Sequence, residues 1–178
     1  PSNGLVFGSE LFDNPNLNFE PNLQLATPVN YILGPEDTLQ ISIYGVQEFS
    51  TAAKVSNEGK IDIRNVGQIS VAGMTIEAAT RKISGALSKI YTTVASGQSQ
   101  VSVILARIRT IHITVIGGEQ PGNYSVSSLA TVYNALHLAG GPAETGSYRN
   151  IQLIRNNKVI HNVDIYRFLL NGDQSDNI

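Results

Sequence analysis

The residues of this chain that could do chemistry are few, and they do not cluster. Its three histidines, His112, His137 and His161, stand apart from one another. None has a second histidine four residues on, or a carboxylate at the spacing of a local metal site. His112 lies between Ile111 and Ile113, which predicts the polar side of a strand. Glu36 and Asp37 offer two carboxylates, but neighbours in a turn point apart. Asp37 is expected to accept hydrogen bonds from turn backbone N–H groups instead of sharing acid–base work with Glu36. The pairs Gly117-Gly118 and Gly140-Gly141 extend into neither G-x-G-x-x-G nor a phosphate loop, and read as a turn and a helix end. There is no cysteine, which excludes disulfides, thiol nucleophiles and thiolate metal sites. The expectation is no catalytic residue, no metal, no cofactor and no enzyme.

Composition narrows the partners. Charged residues are 15% of the 178, against about 25% in ordinary globular chains. Ser, Thr, Asn and Gln make up the difference, giving a polar, weakly charged surface. With a net charge of −2 and no basic run longer than Arg81-Lys82, nucleic acid is not an expected partner. The longest apolar run falls far short of the roughly 18 residues of a membrane helix. Pro1 is an unusual first residue and predicts an excised or processed piece of a longer protein.

The elements that would position these residues fall into three parts. Residues 1–30, rich in Asn and Pro, predict an extended arm carrying Leu5, Phe7, Leu11, Phe12 and Phe19. Such an arm docks on a neighbouring subunit, or is a flexible leader that packs on its own domain or not at all. From residue 31, Gly34-Pro35 makes a turn, and Leu39, Ile41 and Ile43 then alternate with polar residues as in a half-buried strand. Three or four short strands are expected to Val71, with turns at Asn57–Lys60, where Gly59 takes positive φ, and at Asn65–Gly67. The first of these turns is expected to join strands Ala52–Ser56 and Lys60–Ile63. After Gly73, Thr75 caps a helix that buries Ile76, Ala79, Ile83, Leu87 and Ile90.

Gln100–Ile116 is one long strand-like run with a fault. Val101, Val103 and Leu105 share a face, but the parity is lost before Ile111, Ile113 and Val115 resume it. Side chains alternate with period 2, so the run must bulge or break, and a domain boundary is expected at Ala106–Thr110. Beyond it come a turn through Pro121-Gly122 and a return strand with Tyr124 and Val126. Next is a helix capped by Ser127 or Ser128 that buries Leu129, Val132, Leu136 and Ala139 and ends at Gly140-Gly141-Pro142. A hairpin across Asn156-Asn157 then places Ile151, Leu153, Val159 and Val163 together, and Asp164 caps a last helix stopped by Gly172. The class is α+β in two small domains: a mixed sheet with a packed helix over 31–106, and a β-grasp-like unit over 107–178.

Two stretches resemble a known family. Tyr31, Leu33, Gly34, Pro35, Asp37, Leu39, Ile41 and Ile43–Gly45, then Asn57, Gly59 and Ile61, then Gly67, Ile69, Val71, Gly73, Thr75, Glu77 and Ala78 are similar to the polysaccharide-export domain of Gram-negative outer-membrane capsule and exopolysaccharide exporters. Pro121, Gly122, Tyr124 and the run to Gly140, Gly141 and Pro142, followed by Arg149–Asn156, resemble the SLBB (soluble-ligand-binding β-grasp) domain that follows it. The family usually has Gly or Asp where Glu36 stands, and its turn before the Pro121 position is one residue longer. A further SLBB strand is expected after the last residue, and the family's pore-forming terminal helix is not present.

The resemblance implies a periplasmic, outer-membrane-associated module that assembles as a homo-oligomeric ring around a passage for polysaccharide, with an inner-membrane co-polymerase as partner. A weakly charged surface suits a polymer that must move, and two domains of about 75 residues, each burying only about 60% of its unfolded surface, would lean on neighbours. Expected contact surfaces are Glu58 with its turn to Arg64, and the helix face of Arg81, Ser84 and Ser88. Tyr124 and Tyr148 are candidate sugar-stacking rings. The alternative is a stand-alone periplasmic module that binds a glycan or small ligand.

Overall fold

Pro35 and Glu36 set the first strand on its path. In the computed structural model, which describes Phe12, residues 30–173 and residues 175–178, Asp37 N–H donates to Gly34 O at 3.3 Å and Glu36 has φ 75°. Pro at the second position and positive φ at the third define a turn that favours glycine at the third.

The chain divides into two compact units, Leu23–Thr110, and Ile111–Ile178, to which Phe12 also belongs. In the first, β1 (Thr38–Gly45) is the centre of a three-stranded sheet in the order β2-β1-β5, with β2 Phe49–Lys54 and β5 Ser99–Arg107. Both pairings are antiparallel, so the sheet is not mixed as expected: β2 follows by a three-residue reversal, and β5 returns from a helix against the other edge. Leu39, Ile41 and Ile43 are buried on one face, with Ala53 and Val103 beside them.

β3 (Lys60–Ile63) pairs with β4 (Gly67–Ser70) and not with β2, so the Asn57–Lys60 turn links two sheets instead of closing a hairpin. Gly59 O accepts from Val71 N and Ala72 N, and a Cβ at Gly59 would stand 2.6 Å from that of Ala72. Across from this turn, Leu33 N donates to Met74 O, Gly73 N to Leu33 O, and Ile32 bridges to Thr75. The stretch from Tyr31 and the stretch from Gly67 to Ala78 therefore lie side by side.

α1 (Ile76–Leu87) has Thr75 as N-cap, its Oγ1 accepting from Ala78 N at 3.2 Å, and it buries Ala79, Ile83 and Leu87. Ile90, expected on the same stripe, is 48% exposed: the helix ends at Leu87, and Ile90 N bonds back to Leu87 O in a tighter turn that takes it off the stripe. A short helix, α2 (Thr92–Ala95), precedes β5.

The fault in the long run has two parts. The β1–β5 register slips between Thr38↔Arg107 and Leu39↔Leu105, leaving Ala106 as a bulge residue, and β6 (Thr110–Val115) starts after a break at Ile108-Arg109.

In the second unit β6 pairs with β7 (Gly122–Ser127). α3 (Val132–Leu138) is capped by Thr131, in a reciprocal box with Asn134, and not by Ser127 or Ser128; Leu129 lies before the helix. A capping side chain must stand immediately before the first helical residue, and Ser127 Oγ instead accepts from Leu129 N. At the other end Gly141 N reaches Leu136 O and Gly140 N reaches His137 O, a paired closure that needs the left-handed φ of 72° at Gly140. The Gly117–Gln120 turn is fastened to this helix end by Glu119 N to Gly141 O, Gln120 N to Ala139 O and Ala143 N to Gly117 O.

β8 (Ile151–Arg155) and β9 (Lys158–Val163) meet across Asn156-Asn157, both at positive φ. A bulge between Leu153 and Ile154 in their register turns Val159 to the exposed side opposite Ile154, away from Val163. α4 (Ile165–Asn171) is capped by Asp164 and ends at Gly172 in the left-handed region. Phe12, Val132, Tyr133, Leu136, Tyr148, Val163 and Ile165 form one buried cluster, so this part of the arm packs on its own chain. The other arm residues named above lie outside the described residues.

Candidate functional site

Asp37 is the most connected polar group of the first unit. Its side chain has no exposure, yet it accepts from Gly34 N at 2.8 Å, Tyr31 OH at 2.8 Å, Arg109 N at 2.8 Å and Arg109 Nη1 at 2.8 Å. Arg109 Nη1 also donates to Tyr31 OH and Ile32 O, and its guanidinium lies 5.6 Å from the Tyr31 ring centroid. A Cβ on Gly34 would stand 2.9 Å from that guanidinium, so the glycine leaves room for the arginine as well as making the turn. Asp37 binds turn backbone as expected; that it also anchors Arg109, across 72 residues, has no trace in local spacing. With four donors on its two oxygens and no exposure, this carboxylate is placed to hold structure.

A second acidic centre lies in the other unit. Asp176, 5% exposed, accepts from Asp164 N at 3.2 Å and faces Arg167 Nη1 and His161 Nε2, each at 3.3 Å. His161 is therefore not isolated, but the carboxylate it meets is fifteen residues on. Arg167 Nη2 also reaches Asp173 at 2.7 Å. Asp173 is held below its ordinary range, first by the Ser175 N–H, then by the Ser175 hydroxyl and Arg167. The following residues cap α3: Asn177 Oδ1 accepts from Tyr133 N and Ile178 O from Val132 N. Burial, then the charges of Asp176, Asp173 and Asp164, push the Tyr133 hydroxyl up. Among the described residues no three His, Cys, Asp or Glu side chains gather closely enough to hold a metal.

The candidate contact residues separate on exposure. Glu58 is exposed and pairs loosely with Lys60 at 3.4 Å, and Arg81 is exposed on α1 with no ion-pair partner among the described residues. Tyr148 is 7% exposed, its ring 6.2 Å from Phe12 and 6.0 Å from Tyr166. It is core, and its ring is not presented for stacking. Tyr124 is half-buried, and its hydroxyl donates to Gln120 O, bracing the Pro121-Gly122 turn. Pro35, Gly73 and Pro121 are exposed turn residues, while Gly34 and Gly141 are buried.

An aromatic that the sequence reading passed over is better placed. Tyr44 is 49% exposed on the outward face of the β2-β1-β5 sheet, its hydroxyl donating to Gln100 Oε1 at 3.1 Å. On the same face Ser50, Ser42 and Ser102 lie abreast, as do Ala52, Gln40 and Ile104. Gln40 Nε2 donates to Ser50 Oγ at 2.6 Å, and Ser42 Oγ stands 3.2 Å from the same oxygen. Lys54, Thr38 and Arg107 close one end. The alternation in β1 that marked Leu39, Ile41 and Ile43 as core also marked Tyr44 as outward.

Comparison with known proteins adds two kinds of likeness. Residues 25–106 match the family described as polysaccharide biosynthesis/export protein, and residues 113–169 match the SLBB domain. Two curated relatives, each a polysialic acid transport protein KpsD of Escherichia coli, are 32% and 31% identical over 171 residues. The alignment covers 94% of this chain and 29% of each relative, so the chain spans less than a third of their length.

Proposed function

The chain carries a polysaccharide biosynthesis/export domain followed by an SLBB domain, and on that premise we propose that it is the polymer-guiding part of a polysaccharide export protein. The observation that carries this reading is the order of the two domains within one alignment of 171 residues to proteins named for polysialic acid transport. In this reading the module is non-enzymatic, stands on the periplasmic side of a Gram-negative outer membrane, and contributes to a homo-oligomeric ring that receives polymer from an inner-membrane co-polymerase. Two features of the chain support a guiding role. Its buried carboxylates are consumed by structural donors, and its exposed sheet face is built from hydroxyl and amide groups that can be exchanged along a moving chain at low cost. Exposed Glu58 and Arg81 are proposed as subunit contacts.

The test is genetic. A capsule-forming Gram-negative strain lacking its own export protein should regain surface polysaccharide with the full-length protein containing this segment, and fail to regain it when the segment is deleted. Restoration without the segment would remove it from the export path. Charge reversal at Glu58 and Arg81 together should lower the oligomer mass seen by light scattering.

A further inference from the structure

The outward face of the β2-β1-β5 sheet takes no part in the core, yet its side chains are hydrogen-bonded to one another. Tyr44 is tied to Gln100, and Gln40 and Ser42 both meet Ser50. Adjacent strands about 4.8 Å apart hold these groups in fixed rows. The rows themselves contain a half-exposed aromatic ring, serine hydroxyls, two amides, the apolar Ala52 and the exposed Ile104, and no carboxylate. One end is cationic: Lys54 is engaged by Glu36, but Arg107 is exposed with no ion-pair partner among the described residues.

We propose that this face is a docking platform for an acidic glycan chain, an inference that rests on the export reading above and gives it a contact surface. A sugar ring offers a C–H face and hydroxyl edges. Tyr44 supplies the flat apolar partner for the first, and Ser42, Ser50 and the Gln40 and Gln100 amides both donate to and accept from the second. Arg107 complements a carboxylate further along the chain, and the one acidic side chain at this end, Glu36, is neutralised by Lys54, so an acidic polymer meets little repulsion. Side chains already fixed by one another lose little freedom on binding. Individually weak contacts spread along a flat face suit a polymer that must bind and still slide.

The experiment is an amide NMR titration of the 178-residue chain with a sialic acid tetramer, with a neutral maltotetraose in parallel. Saturable shifts are expected at Gln40–Tyr44 and Gln100–Ser102, larger for the acidic probe. Tyr44→Ala should weaken binding about five- to tenfold while Tyr44→Phe retains most of it, because the ring and not the hydroxyl makes the contact. Arg107→Gln should abolish the preference for the acidic probe. Tyr44 is exposed, so its truncation leaves the core intact, and the spectrum of each variant reports its fold.

Shifts that map elsewhere, binding unchanged by Tyr44→Ala, or no shifts into the millimolar range would each overturn the proposal. So would self-association abolished by Tyr44→Ala without any glycan effect, which would assign the face to a second copy of the chain. None of these outcomes touches the strain-restoration assay, which judges export independently of Tyr44.

Discussion

The carboxylate of Asp37 and the guanidinium of Arg109 meet at 2.8 Å in a place where the acid has no exposure at all and the base keeps 27%. The same carboxylate accepts the Arg109 backbone N–H. One residue thereby fixes the first turn of the sheet and the break that follows β5.

Removing either partner is expected to be costly. Asp37→Ala leaves the Gly34 N–H, the Tyr31 hydroxyl and the arginine without their acceptor, and should lower stability by about 3–5 kcal/mol. Arg109→Ala leaves a buried anion with only neutral donors and should cost about 2–4 kcal/mol. Urea unfolding of the single and double variants checks this, and the double should cost clearly less than the sum. Additive losses would mean that the two side chains act independently.

Glu36 and Gly59 should respond in opposite directions. Glu36→Gly relieves a left-handed conformation worth about 1–2 kcal/mol and loses only the exposed pair with Lys54 and some chain entropy. A net gain of about 0.5 kcal/mol is expected in thermal or urea unfolding. Gly59→Ala has both a φ of 78° and a Cβ contact of 2.6 Å against it, and should cost about 2 kcal/mol or more.

Tyr133 buries a hydroxyl that finds no hydrogen-bond partner among the described residues. Tyr133→Phe should therefore be neutral or stabilising by about 1 kcal/mol at neutral pH. The pH dependence has a definite sign. Because the folded hydroxyl holds its proton more tightly than the unfolded one, its contribution is intact below the ordinary value of 10.0 and declines as pH rises past it toward the raised folded value. The variant should show a flatter loss of stability above pH 10 in alkaline unfolding.

Asp173 works at the acid end. Its pKa is lowered, so its contribution is present above the ordinary value of 3.8 and is lost as pH falls through the lower folded midpoint. The Ser175 amide resonance should titrate with a midpoint below 3.8, and Asp173→Asn should remove that titration. A midpoint at or above 3.8 would show that the Ser175 contacts do not form in solution.

Local chemistry made much of this protein legible in its sequence. The alternation of Leu39, Ile41 and Ile43, the cap at Thr75, the closure at Gly140-Gly141 and the turn at Asn156-Asn157 each depend on residues within a few positions of one another. The parity fault near Ala106 likewise requires a bulge or a break, because a strand has only two faces. Tertiary structure decided whatever required distant chain to meet. β3 took β4 over β2 as its partner, a bulge turned Val159 outward, and Phe12 and Tyr166 closed on Tyr148, making core of a ring that its sequence setting left open. Asp37 found Arg109, and Asp176 found His161, across separations at which spacing carries no signal. A hydrogen bond or a buried contact depends on where two groups stop in space, and only the packed chain fixes that.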